Sequence, residues 1–433
     1  MHEIPIPARL DAHYFRRGKV APLVLGGLVA VGAISFLALL RTDPGRAWQS
    51  YVSNWLFFTS VAQGAVILYA ATVITKARWN WSVRRISLSL GAFLPISFLL
   101  LLPMLGLREN YFPWLEMMAE DEILQQKAAY LNIPFLMARQ AGGALLLFTM
   151  SLIFVYWSLR PDLGPEGAAE AGGDAARARW RARLSGKWLG QEREEDRSWA
   201  KLTVLAPPLV LTYAVVMSMF AVDWAMSLDP HWLSTLFPAW FFMGAFWSGI
   251  ASTALLSVLL KKTLPYADKH IGPQQLHDLG QLTFAYSIFW TYTFWSQYLV
   301  IWYGKLPWEQ EWMVQRSGEG WGRLSLLVIV LCFVVPFASL IGRAPKKRPG
   351  WLGAICVLIL GGLWLERFLL IAPSLHQPGQ ATITFWEPLI GLGFLGLFGT
   401  AVRWFLVTFP IIQLWQPKPL PEMTEAELPV GSR

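Results

Sequence analysis

Ten stretches of the chain are apolar over a length that suits a bilayer, and no other feature limits its fold so tightly. They run over about 20–40, 51–74, 86–106, 134–158, 202–226, 236–260, 276–303, 323–342, 350–372 and 382–410. A helix needs about 20 apolar residues to cross the hydrocarbon layer. Backbone in hydrocarbon must satisfy its own hydrogen bonds, which only helices and closed barrels achieve. The chain is therefore expected to be an all-α polytopic membrane protein with about ten transmembrane helices. Composition agrees. Of 433 residues, 55% are hydrophobic and 15% charged, where a soluble domain carries about 25% charged residues. The polar start, MHEIPIPARLDAHYFRRGK, and the length of the first apolar stretch argue against a cleavable signal peptide.

The net charge of +8 would suit nucleic acid, but its distribution points to membrane orientation instead. The N-terminus, TKARWNWSVRR, Arg160–Lys201, KKTLPYADKH, RAPKKR and the C-terminal tail together hold 26 of the 36 Lys and Arg. Cytoplasmic loops carry that excess, so both termini are expected in the cytoplasm and no nucleic-acid partner is expected. The chain then divides into four spans over 1–158, a cytoplasmic linker over 159–201, six spans over 202–416 and a cytoplasmic tail over 417–433. The linker is Gly/Ala-rich and then densely charged, the pattern of a solvated connection. On the opposite side, 107–133 reads as an acidic loop with an amphipathic helix centred on Glu116 to Tyr130, lying on the membrane surface or under a partner.

Chemistry should sit where ionisable residues fall inside spans, because a charge at that depth is costly. Toward the outer side these are Arg139, Asp223, Glu366, Arg367 and Glu387; toward the cytoplasm they are His277, Asp278 and Arg403. The seventh span adds a stripe of Thr283, Tyr286, Ser287, Thr293 and Gln297 at helical spacing, and lipid offers such groups no partner. The stripe is expected to face the bundle interior. Two structural readings stand beside a functional one. Arg139–Asp223 and Glu366–Arg367 could be ion pairs that hold helices together, and His277–Asp278 a helix cap. Alternatively, protonatable groups near both faces, joined by hydroxyls, form a proton path or line a cavity for a quinone headgroup. On the functional reading Asp223 matters for turnover more than for assembly.

The chain offers little to a redox metal. Cys332 and Cys356 form no CxxC or CxxCH pattern, whereas clusters and c-type haem need such ligands. The six histidines fall in loops or at helix ends, which also leaves a b-type haem without axial ligands at membrane depth. No cofactor is expected on this chain, and no catalytic centre of its own is evident. Asp229 and His231 are two potential metal ligands close in sequence, too few for a site by themselves.

The seventh span, HDLGQLTFAYSIFWTYTFWSQYLVIWYGKLP, resembles the signature of the ActF subunit of bacterial alternative complex III, within the wider NrfD/PsrC-like family. YLNIPFLMARQ and AVDWAMSLDPHWLSTLFPAW resemble two further ActF segments, in the same order. The likeness runs from the first span to the tenth. The family often continues its motif with NIPEE, where this chain has GKLPWEQE, so the acidic pair maps only loosely onto Glu309 and Glu311. The resemblance implies two four-helix bundles plus extra helices. It also implies a quinol-oxidising complex that draws on menaquinol. Its partners would be a paralogous NrfD-like quinol subunit, an iron–sulfur and molybdopterin-like peripheral subunit, c-type cytochrome subunits and a terminal oxidase. The complex would hold c-type haems and iron–sulfur clusters, while this subunit assists proton movement. A direct quinol-binding role and a secondary transporter are the alternatives. No clear repeat relates the chain's halves, as the inverted-repeat transporters would require.

Overall fold

The computed structural model describes residues 10–108, 111–164, 174–318, 320–376 and 380–416. Ten long helices carry the fold: α1 (Val20–Thr42), α2 (Pro44–Ile74), α3 (Arg84–Met104), α4 (Ile133–Leu159), α5 (Gln191–Trp224), α6 (Phe237–Thr263), α7 (Pro273–Gly304), α8 (Trp321–Leu340), α9 (Pro349–Ile371) and α10 (Trp386–Thr408). No strand occurs among the described residues. Nine of these helices are long and apolar enough to cross a membrane; α7 has the length, at 32 residues, but falls outside that group. Its hydroxyls, amides, Tyr and Trp lower its mean hydropathy, which corrects the expectation of ten equivalent spans. The coarse reading, an all-α chain with the helices of a multi-pass membrane protein, stands.

Local chemistry explains where the helices start. Pro44, Pro134, Pro238, Pro273 and Pro349 occupy first-turn positions, where a missing N–H costs nothing. Asp43 and Asn132 cap α2 and α4 by accepting from the Arg46 and Phe135 amides. The Asp43–Pro44 start places α2 seven residues ahead of the sequence estimate. α5 likewise begins at Gln191, so the last part of the stretch read as a linker is helix continuous with a span. A further helix, Ala175–Leu184, lies within that stretch. The loop over 107–133 differs more. In place of one surface helix it holds two short turns of helix, Trp114–Met117 and Glu122–Gln126, with Trp114 and Leu124 buried. Burying both side chains requires the chain to turn between them.

α2 is the axis of the bundle. In its apolar stretch 89% of residues are buried, against 17% for α1 at the periphery. It packs against α3, α5, α6, α9 and α10, while α1 lies mainly on α10 and α4 on α5. α7 lies against α6 and α8. Two crossings need glycine. A Cβ on Gly249 of α6 would stand 2.2 Å from the Ala65 nitrogen of α2, and one on Gly32 of α1 would stand 2.3 Å from the Gly393 Cα of α10. Without a hydrophobic drive between helices in lipid, such backbone approach is what gains dispersion contact.

Candidate functional site

Arg139 and Asp223 meet where α4 begins and α5 ends. The guanidinium grips the carboxylate at two points, Nε to Oδ2 at 2.7 Å and Nη2 to Oδ1 at 2.8 Å. Gln140 donates to the same carboxylate through its amide nitrogen. The remaining Arg139 nitrogen, Nη1, donates to the Tyr130 carbonyl at 2.8 Å, with the Tyr130 ring 3.9 Å beneath the guanidinium. Gln140 Oε1 in turn accepts from the Trp224 indole at 2.7 Å. Each carboxylate oxygen and each guanidinium nitrogen of this buried pair has at least one hydrogen-bond partner. A two-point Arg–carboxylate contact is the strong geometry for such a pair. Through Arg139, Asp223 thus ties α5 to α4 and to the Tyr130 carbonyl of the 107–133 loop.

Glu366 and Arg367 on α9 are equally buried and very different. Glu366 Oε1 accepts from the Trp290 indole of α7 at 3.2 Å. Glu366 Oε2 and Arg367 Nη1 are in ionic contact at 3.0 Å, yet neither atom has a hydrogen-bond partner. The misalignment follows from position: neighbouring residues on a helix do not face each other. Arg367 instead lies over the Phe241 ring at 3.8 Å and donates through Nη2 to the Phe241 carbonyl at 3.0 Å. Gly244 of α6 faces the cluster: a Cβ there would make ordinary contact, 3.4 Å from Arg367 Nη2 and 3.6 Å from the Trp290 ring. Buried polar atoms without partners are rare in folded proteins and each calls for an explanation; Nε and Nη1 of the buried Arg85 also have none. This α6–α7–α9 cluster is the candidate site.

The polar stripe of α7 turns inward as expected for Thr283, Ser287, Thr293 and Gln297, which are buried, while Tyr286 and Asp278 are half-buried. Its hydroxyls do not form a chain. Thr283 donates to the Leu279 carbonyl at 2.8 Å, Ser287 to Phe284 at 2.8 Å, and Thr293 to Phe289 and Trp290 at 3.0 Å each. Each O–H is thus satisfied by the preceding turn of its own helix, a pattern open to Ser and Thr in helices. Side-chain links leave α7 at Trp290, at Gln297, which accepts from Ser234 at 3.0 Å, and at Gln281, which accepts from Lys346 at 2.6 Å. At the α7 N-terminal end, Asp278 accepts from Gln274 at 2.8 Å, with His277 Nδ1 3.3 Å away.

Several buried charges were not legible as site residues. Arg85 at the start of α3 pairs with Asp162 just past α4, and both side chains are fully buried. Arg160 grips Glu194 of α5 through Nε at 2.5 Å and Nη2 at 2.9 Å. Both acids lie in the stretch read as a solvated linker. Glu387 accepts from Arg46 at 2.6 Å and from Thr384 through N–H and O–H at 2.8 Å each, a satisfied start to α10. Arg316, in the short helix Pro307–Ser317, donates to the Leu369 and Leu370 carbonyls at 3.1 Å each, at the end of α9 one turn beyond Arg367. Burial brings its guanidinium down to about 10, countered in part by Asp229. Asp229 and His231 point to different partners: Asp229 accepts from Ser374, and His231 Nε2 stands 2.7 Å from Asp121 Oδ2. A run of hydroxyls and Trp at helical spacing marked α7 in the sequence, but nothing there singled out Trp290 as the residue touching Glu366.

Comparison with known protein families finds no match, and comparison with curated proteins finds none either.

Proposed function

We propose that the chain is an integral membrane subunit of a quinol-oxidising respiratory complex, ActF-like, in which the Glu366–Arg367–Trp290 cluster takes part in proton movement. The observation that carries the reading is the pair of unbonded atoms, Glu366 Oε2 and Arg367 Nη1, inside the helix bundle. A carboxylate held by one indole and an off-axis guanidinium can exchange a proton with little rearrangement, whereas the Arg139–Asp223 pair cannot. His277 and Asp278 then form the entry from the α7 N-terminal end. Thr283, Ser287 and Thr293 contribute polarity along the way but no unbroken relay, so water is required between the ends. The motif likeness of α7 supplies the respiratory context.

On this reading the helices form two four-helix bundles with extra helices, both termini lie in the cytoplasm, and the protein sits in the bacterial inner membrane. The partners are the paralogous NrfD-like quinol subunit, the iron–sulfur and molybdopterin-like peripheral subunit, c-type cytochrome subunits and the terminal oxidase. The c-type haems and iron–sulfur clusters of the complex belong to those partners, and menaquinol is its substrate. Purification in mild detergent tests the assignment. Co-purifying proteins with a c-type haem spectrum are expected. A chain that emerges alone or only with copies of itself, free of haem proteins, defeats the respiratory reading in favour of a transporter.

A further inference from the structure

Where α1 begins and α6 and α10 end, a cavity of about 620 Å³ opens between the N-terminal segment and the helix ends. Its wall is apolar along Val24, Leu25 and Leu264, and Arg16, Lys19 and Arg403 stand at its rim, with no carboxylate among the lining residues. Arg403 reaches it from within α10: Nη2 donates to the Gly18 carbonyl at 3.0 Å, while Nε is buried with no hydrogen-bond partner. α1 starts at the same wall, and its N-cap, Lys19, supplies no side-chain hydrogen bond. The Val20 and Ala21 amides therefore lack a side-chain cap at the positive end of a 23-residue helix, while Pro22 has no N–H to offer.

We propose that this cavity binds one anionic phospholipid. The phosphate sits among Arg16, Lys19 and the Val20 and Ala21 amides that open α1, near the Arg403 guanidinium, and an acyl chain follows Val24 and Leu25. Two features select a lipid over a free phosphate. A lone phosphate gains nothing from an apolar wall. That wall also continues into the exposed side of α1, where Val20, Leu23 and Val24 are 72%, 75% and 56% exposed, the surface a bilayer would cover. Basic pockets between transmembrane helices are known to take such headgroups. The inference needs only that the chain spans a bilayer, and nothing in it depends on the respiratory assignment.

The test is native mass spectrometry of the full chain in mild detergent after delipidation. Phosphatidylglycerol and phosphatidylcholine with the same acyl chains are added back in turn. The wild type should retain phosphatidylglycerol in preference to phosphatidylcholine, with retention falling roughly fivefold for each of Arg16→Gln and Lys19→Gln. Both of those side chains are exposed, so their loss leaves the fold in place. Val24→Trp fills the apolar wall without touching a cation and should also displace the lipid. Equal retention of the two lipids, or retention unchanged in the Arg16→Gln/Lys19→Gln chain, overturns the site. Binding of inorganic phosphate as tight as that of phosphatidylglycerol overturns the lipid assignment.

Discussion

Two of the buried arginine–carboxylate pairs, Arg139–Asp223 and Glu366–Arg367, differ in nothing that burial alone could reveal. Both are nearly closed to solvent. One joins two helices through parallel hydrogen bonds and a second donor from Gln140. The other joins neighbours on one helix, touches without aligning, and leaves an oxygen and a nitrogen unbonded. The difference lies in hydrogen bonding and not in depth, and on the proposed reading it separates a pair that holds helices from one that exchanges a proton. Proton transfer from the bonded pair must break charge-assisted hydrogen bonds, while the other pair bears the cost of burial with an acceptor still open.

Breaking the bonded pair should have the largest effect. Asp223→Asn leaves Arg139 buried without its counter-charge, a loss of roughly 3–5 kcal/mol, so yield and thermal stability in detergent should collapse. The double change Arg139→Met/Asp223→Leu should recover most of it. If Asp223→Asn instead assembles normally and turns over slowly, the comparison fails and Asp223 returns to the proton path. Glu366→Gln should do the reverse. The amide oxygen still accepts from Trp290 but Arg367 loses its counter-charge, so stability should fall by about 2–3 kcal/mol, while on the proposed reading proton uptake coupled to turnover drops roughly tenfold or more. Unchanged proton uptake in a folded Glu366→Gln chain would remove this pair from the mechanism.

Thr283→Val sharpens the contrast on α7. Its hydroxyl bonds only to the Leu279 carbonyl, so activity should stay within about twofold and stability within about 1 kcal/mol. A severe defect in proton uptake would show the hydroxyl row to be a relay in spite of its backbone bonds. The smallest effect belongs to a third pair, outside the spans. Asp121 caps its short helix through the Ile123 and Leu124 amides and faces His231. Burial opposes ionisation there, but the two amides and His231 prevail and hold its carboxyl below the ordinary range. A depressed carboxyl adds stability above its unfolded pKa of about 4 and loses it as pH falls through the folded value. Protease resistance of the 107–133 loop should therefore weaken in acid below that point and hold steady above it. Loss of resistance already near neutral pH would contradict the cap.

Helix content, helix number and the inward turn of Thr283, Ser287, Thr293 and Gln297 follow from the sequence, because length, apolarity and a 3.6-residue period are local properties. The starts at Asp43–Pro44 and Asn132–Ile133–Pro134 each carry a cap and a proline, yet the sequence estimate placed the first of them seven residues late. The surface helix expected over Glu116 to Tyr130 was wrong for a non-local reason. Burial of Trp114 and Leu124 against the bundle outweighs the amphipathic pattern between them. The linker reading missed Asp162 and Glu194 because a charge run looks solvated until its partners, Arg85 and Arg160, are placed in space.

What the sequence determined by itself was the kind of molecule and the candidate groups: helices of membrane-crossing length, and Arg139, Asp223, Glu366, Arg367, His277 and Asp278 as charges embedded in them. Which of those groups meet, and at what angle, only the tertiary structure decided. Arg139 finds Asp223 across 84 positions of chain, and Trp290 finds Glu366 across 76. Glu366 and Arg367, adjacent in sequence, fail to align. Helix periodicity says which way a side chain points from its own axis. The donor that waits there is set by how neighbouring helices cross, through contacts such as Gly249 on Ala65 that no local pattern encodes.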